Sequence, residues 1–223
     1  MVEHWEHVAP LHTERACPAA AADGRGNIVL TGGGESTYRH ATVYSSAEAL
    51  VGEEWRPFPS MTTARCAHGL ALSAGGTLYA TGGYGGGTSY LDSIECIDAH
   101  APGERGWQAA GGLDQPRAFG AACVGPDQCL YILGGTDNGS AGLSSCLKWD
   151  PRSARRHALA PMSTSRHAFA AGFAPDGSLY VAGGFEWVGV LTSAECYEPR
   201  ADRWRPLPEL EAYMEFCAGV CVW

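Results

Sequence analysis

Four short apolar runs, each closed by two glycines, recur at a nearly fixed interval: Ile28-Val29-Leu30-Thr31-Gly32-Gly33, Leu78-Tyr79-Ala80-Thr81-Gly82-Gly83, Leu130-Tyr131-Ile132-Leu133-Gly134-Gly135 and Leu179-Tyr180-Val181-Ala182-Gly183-Gly184. From first glycine to first glycine the steps are 50, 52 and 49 residues. Self-similarity at a period near fifty means one supersecondary unit used repeatedly, too small to bury its own faces and stable only when stacked on its neighbours. The repeat therefore constrains the fold more than any single residue does.

Each repeat reads as four short strands. In the last one, Arg166 to Phe173 is a run of small and apolar residues, and Pro175-Asp176-Gly177 supplies a turn, because proline presets φ and glycine accepts a positive φ. The run at Leu179 is the second strand. A loop over 185–190 leads to Leu191-Thr192-Ser193-Ala194-Glu195-Cys196-Tyr197, whose alternation suits a third. After the Glu198-Pro199-Arg200-Ala201-Asp202 turn, Arg203-Trp204-Arg205-Pro206-Leu207 makes a fourth, and its proline suits an edge position. The other copies follow the template, with Val43-Tyr44 in the third strand of the first. Arg156 stands where repeat three should carry its closing tryptophan, so that outer strand is expected to be weaker. The thirty glycines and thirteen prolines fit a chain that turns about every ten residues, as all-β proteins do.

The markers also join one repeat to the next. Trp5, Trp55 and Trp107 each precede an arginine, Arg15, Arg65 and Arg117, by ten residues. The N-terminus thus begins as a fourth strand over 1–14. At the C-terminus Met214 stands where the next arginine belongs, and Phe216 to Trp223 reads as a first strand. The domain expectation is one array over 1–223, with units at 15–64, 65–116, 117–165 and 166–213 and single strands at 1–14 and 214–223. Four units plus two stray strands do not close a ring cleanly. A fragment of a larger ring, a strained small ring, and an open array completed by another chain all stay open, with the fragment favoured because open ends expose strand edges and apolar faces.

A double glycine after an apolar strand, a tyrosine about a dozen residues on, a tryptophan some seven later, and then Pro161-Met162-Ser163-Thr164-Ser165-Arg166 resembles the Kelch repeat, from Trp5 to Trp223. The resemblance implies an all-β, Kelch-type β-propeller or partial propeller, each repeat a four-stranded blade around a channel. Repeat four is most similar to the Kelch-like adaptors that carry BTB and BACK domains and deliver substrates to cullin ubiquitin ligases. The family also includes actin-binding proteins, and enzymes such as sugar epimerases and copper-radical oxidases.

The chemistry points to binding. The formal net charge of -9 argues against nucleic acid, which demands clustered Lys and Arg. No run approaches eighteen apolar residues, so a membrane span is not expected. Nine scattered cysteines without a CxxC pair, behind an N-terminus lacking an apolar signal region, are expected as free thiols in the cytoplasm. No HExxH, GxSxG or phosphate-loop pattern occurs, and no cofactor or metal is expected. Cys96 and Cys196, like Glu95 and Glu195, recur in phase, as scaffold residues do; a catalytic residue occurs once, beside a base.

The expected site is therefore a protein- or acidic-peptide-binding surface on the channel-face loops. Arg65, Arg117 and Arg166, in line with Arg15, recur with the glycine period, and the resemblance implies an arc near the channel. There they either pair bidentately with a partner's carboxylates or tie neighbouring loops together. Tyr38, Tyr84, Tyr90 and the run Phe185-Glu186-Trp187-Val188 place aromatics in the loops after the glycines. Trp187 has no counterpart in the other repeats and either anchors an interface or folds onto its own blade.

Overall fold

The computed structural model describes residues 7–36, 42–103, 105–187 and 189–212. Blade one is β1 (Ala19–Ala22), β2 (Ile28–Thr31), β3 (Ala47–Val51) and β4 (Glu54–Phe58). Blade two is β5 (Gly69–Leu72), β6 (Thr77–Thr81), β9 (Ser93–Asp98) and β10 (Gln108–Gly112), with a small hairpin of β7 (Tyr84–Gly86) and β8 (Ser89–Tyr90) inserted after its glycines. Blade three is β11 (Ala121–Val124), β12 (Leu130–Leu133), β13 (Cys146–Asp150) and β14 (Arg155–Leu159). Blade four is β15 (Ala170–Phe173), β16 (Leu179–Ala182), β19 (Ala194–Glu198) and β20 (Arg203–Pro206), again with a hairpin after the glycines, β17 (Phe185–Glu186) and β18 (Gly189–Val190).

Every blade is an antiparallel meander in chain order, and the first strands of consecutive blades lie against one another. The core is accordingly divided into three slabs, each between two blades. Val29 and Ala49 of blade one meet Leu78, Ala80 and Ile97 of blade two. On the other side of β6, Tyr79 joins Ile94, Leu130, Ile132 and Trp149. Tyr131, Leu133, Phe173, Leu179 and Tyr197 fill the third slab. Strands with a blade on both sides cannot alternate apolar with polar, which is why Leu78, Tyr79 and Ala80 are all buried.

Some boundaries shift from expectation. The third strand of blade one begins at Ala47, not Val43, because residues 44–46 are drawn into the link. The outer strand of blade three is not weakened: β14 pairs over five residues with β13. Arg156 takes over the tryptophan's task. Trp107 Nε1 donates to Pro59 O and Trp204 Nε1 to Ala160 O, both at 2.9 Å, and Arg156 Nη1 donates to Leu113 O at 2.7 Å. All three fasten an outer strand to the link that precedes its own blade. Residues 7–14 form no strand; Trp5, Met214 and the strand expected from Phe216 to Trp223 lie outside the described residues.

The blades are also joined along the channel by a backbone ladder. Ala67 N–H donates to Cys17 O, Phe119 N–H to Ala67 O, and Ala168 N–H to Phe119 O, at 2.9, 2.7 and 2.8 Å. Each of these residues lies two places after a linking arginine and has a positive φ between 50° and 55°. That conformation is costly for residues with a Cβ, and it turns each amide toward the neighbouring blade.

Candidate functional site

Antiparallel topology puts the links between blades and the loops after the double glycines at one end of the channel. The glycines allow this crowding. Gly33, Gly83 and Gly135 donate their N–H groups to the carbonyls of Arg65, Arg117 and Arg166 in the next blade, at 3.0, 2.7 and 2.9 Å. A Cβ on Gly82, whose φ is +59°, would come within 2.3 Å of Arg117 O.

The linking arginines sit beneath this rim, facing their own blades. Arg65 Nη1 donates to Gly82 O at 2.6 Å, and Nη2 donates to Ser93 Oγ at 3.0 Å and Glu95 Oε1 at 2.6 Å. Arg166 repeats the set with Gly183 O, Ser193 Oγ and Glu195 Oε1 at 2.7, 3.1 and 2.9 Å. Glu95 in turn accepts from the N–H and hydroxyl of Thr62 and from the N–H of Thr63, and Glu195 does the same for Ser163 and Thr164. Burial alone would raise the Glu95 carboxyl, but the bonds from Thr62 and Arg65 outweigh it and hold it below the ordinary carboxylate range.

Blade three lacks that glutamate, since Leu147 occupies its place. Arg117 instead takes Asp114 from the link, at 3.1 Å to both carboxylate oxygens. Asp114 also reaches Arg117 Nε at 3.4 Å, whereas the Nε atoms of Arg65 and Arg166 are buried without a partner.

Of the two roles open to Arg65, Arg117 and Arg166 from sequence, this geometry serves the tying of loops, and the pairing with an acidic partner is revised. They are 0%, 2% and 0% exposed, with their Nη groups held by their own blades and, for Arg117, also by Asp114 of the link. Tyr84 is revised likewise: its hydroxyl donates to Gly87 O at 2.6 Å, its ring tilts onto Tyr90 at 5.4 Å, and it is 9% exposed. Trp187 stands apart. At the turn between β17 and β18 it is 74% exposed, the most exposed large apolar side chain among the described residues. Tyr38 lies outside those residues.

Sequence reasoning missed Ser46, Ser93, Ser145 and Ser193. Each carbonyl accepts both the first glycine's N–H and an arginine Nη1, and each hydroxyl accepts Nη2. Their recurrence was the available signal.

At the other end of the channel a cavity of about 590 Å³ is lined by Ala21, Leu70, Leu72, Ala122 and Val124, with Asp23 and His100 at its rim. Its titratable groups are occupied. Asp23 accepts from the N–H groups of Arg25 and Asn27 and from Asn27 Nδ2, and His100 Nε2 lies 3.1 Å from Asp23 O. Among the described residues no cluster of three or more His, Cys, Asp or Glu is arranged to hold a metal ion.

The Kelch motif model matches residues 65–99, 117–163 and 166–211, more than half of the chain. The chain belongs to the Kelch-repeat family. Similar proteins include Kelch-like protein 40 of Xenopus laevis, 29% identical over 158 residues, which are 70% of this chain and 25% of that protein. Human Kelch-like protein 34 is 32% identical over 175 residues, 75% of this chain and 26% of that protein. The chain thus spans about a quarter of the length of these Kelch-like relatives. Among solved structures, that of YjhT superposes with a TM-score of 0.82 at 16% identity, covering 97% of this chain and 77% of that one. That likeness supports a Kelch propeller fold.

Proposed function

We propose that this Kelch chain is a non-catalytic protein-interaction module. Its partner docks on the channel end formed by the links and post-glycine loops, with Trp187 as the anchor. The observation that carries this is the exposure of Trp187 on a hairpin whose base is fixed: Phe185 and His167 exchange both backbone hydrogen bonds, and Ser165 Oγ donates to Glu186 Oε1 at 2.5 Å. A large aromatic ring left in water on an ordered support is the chemistry of an interface anchor. Likeness to much longer Kelch-like proteins supports the finer role of substrate recognition for a cullin ubiquitin ligase, and the compartment we propose for it is the cytoplasm, where its cysteines stay as thiols.

The test compares proteins cross-linked to the wild type with those cross-linked to Trp187→Glu. Val51→Glu, a change at an exposed apolar residue at the opposite end, serves as control. Partners lost with Trp187→Glu and kept with Val51→Glu support the module. An identical set for all three chains would sink it.

A further inference from the structure

The two ends of the propeller differ in charge, and the difference bears on the partner's chemistry. At the link and post-glycine end, Glu35 and Asp92 are exposed, and Asp137 and Glu186 are partly so. No lysine or arginine among the described residues pairs with any of these four carboxylates. Among the described residues, the arginines and lysines at this end are the buried linking arginines, each already bonded to a carboxylate of its own blade or link. Arg39, in the loop of blade one, lies outside the described residues. Exposed arginines stand in the turns at the far end, among them Arg25 and Arg200, with Arg152 and Arg203 paired there to Asp150 and Glu198.

Trp187 adds a second and independent observation. Its ring is open to solvent immediately after Glu186, and it is held by β17 and β18, whose register pairs Phe185 with Val190 and Glu186 with Gly189. Tryptophan offers the strongest aromatic face to a cation, and a neighbouring carboxylate strengthens that preference. An exposed indole one residue from a glutamate in sequence, on a rim bearing several more carboxylates, suits a guanidinium or ammonium group and repels an acidic chain.

We propose that the partner segment bound at this end is cationic, a Lys- or Arg-rich stretch of a protein with one basic side chain stacked on Trp187. This rests on the interaction-module function above and reverses the acidic peptide expected from sequence. The reversal has one cause: burial takes Arg65, Arg117 and Arg166 out of the surface and leaves the carboxylates to set its potential.

The experiment selects binders from a random twelve-residue peptide library displayed on phage, using the whole chain and, in parallel, the triple variant Glu35→Lys/Asp92→Lys/Asp137→Lys. Retained circular dichroism shows that the variant is folded. The expected result is a pool enriched in Lys and Arg for the wild type that does not bind the variant. Its affinity should fall about tenfold or more between 50 and 300 mM salt, and about three- to fivefold with Trp187→Ala. Enriched peptides that are acidic or uncharged, or that bind the triple variant equally, overturn the charge assignment while leaving the interaction module standing. Enrichment of no peptide by either protein counts against both.

Discussion

Arg65 and Glu95 meet at 2.6 Å with 0% and 2% of their side chains exposed, at the junction of a link, a double glycine and a third strand. The pair organises backbone: the arginine satisfies the Gly82 carbonyl, and the glutamate satisfies the amides of Thr62 and Thr63. Removing one partner leaves a buried charge and stranded backbone groups. Arg65→Met is expected to lower the unfolding free energy by about 3–5 kcal/mol, measured by urea denaturation. A loss below about 1 kcal/mol would show that the pair is not structural.

Blade three provides an internal comparison. The counter-ion of Arg117, Asp114, is 42% exposed and can return to water when the arginine is removed. Arg117→Met should therefore cost about 1–2 kcal/mol less than Arg65→Met. Equal midpoint shifts would contradict this ordering.

Gly82 is expected to tolerate no side chain. The added methyl of Gly82→Ala meets a backbone oxygen at 2.3 Å in a left-handed conformation, and neither can move without opening the junction between blades two and three. A loss of about 3 kcal/mol or more is expected, against almost none for Gly103→Ala, where nothing lies within 4 Å. Thermal melts of the two variants check it.

His68 should make the fold sensitive to mild acid. Burial, helped by Arg65, pulls its imidazole down to about 3, and Nε2 lies 2.8 Å from Thr31 Oγ1. The unfolded chain binds a proton near pH 6.5 while the folded chain does not, so stability is full above that pH and falls as pH drops toward 3. Between pH 7 and 5 the loss is about 2 kcal/mol. His68→Asn should flatten the stability profile over that range, whatever it does to stability at pH 7. An unchanged slope would refute the assignment.

Much of the scaffold was legible because its requirements are local and repeated. A Gly-Gly pair after an apolar strand marks the same junction four times, and the recurring Trp107 and Trp204 each fasten an outer strand to the preceding link. Arg156 shows where such reading stops. It breaks the residue pattern but keeps the hydrogen bond, because what the position requires is an N–H donor of sufficient reach. The ladder through Cys17, Ala67, Phe119 and Ala168 left no trace in residue type, since its donors and acceptors are backbone atoms.

The sequence by itself determined a four-fold array of small antiparallel sheets, because period, turn chemistry and strand patterning are properties of neighbouring residues. Only the tertiary structure decided the roles of Arg65, Arg117 and Arg166 and the sign of the surface above them. A guanidinium pairs as readily with a partner's carboxylate as with Glu95 or Asp114. Which it meets depends on the link folding back over its own blade, and that closure buries the arginines and leaves Trp187 and the acidic rim facing solvent.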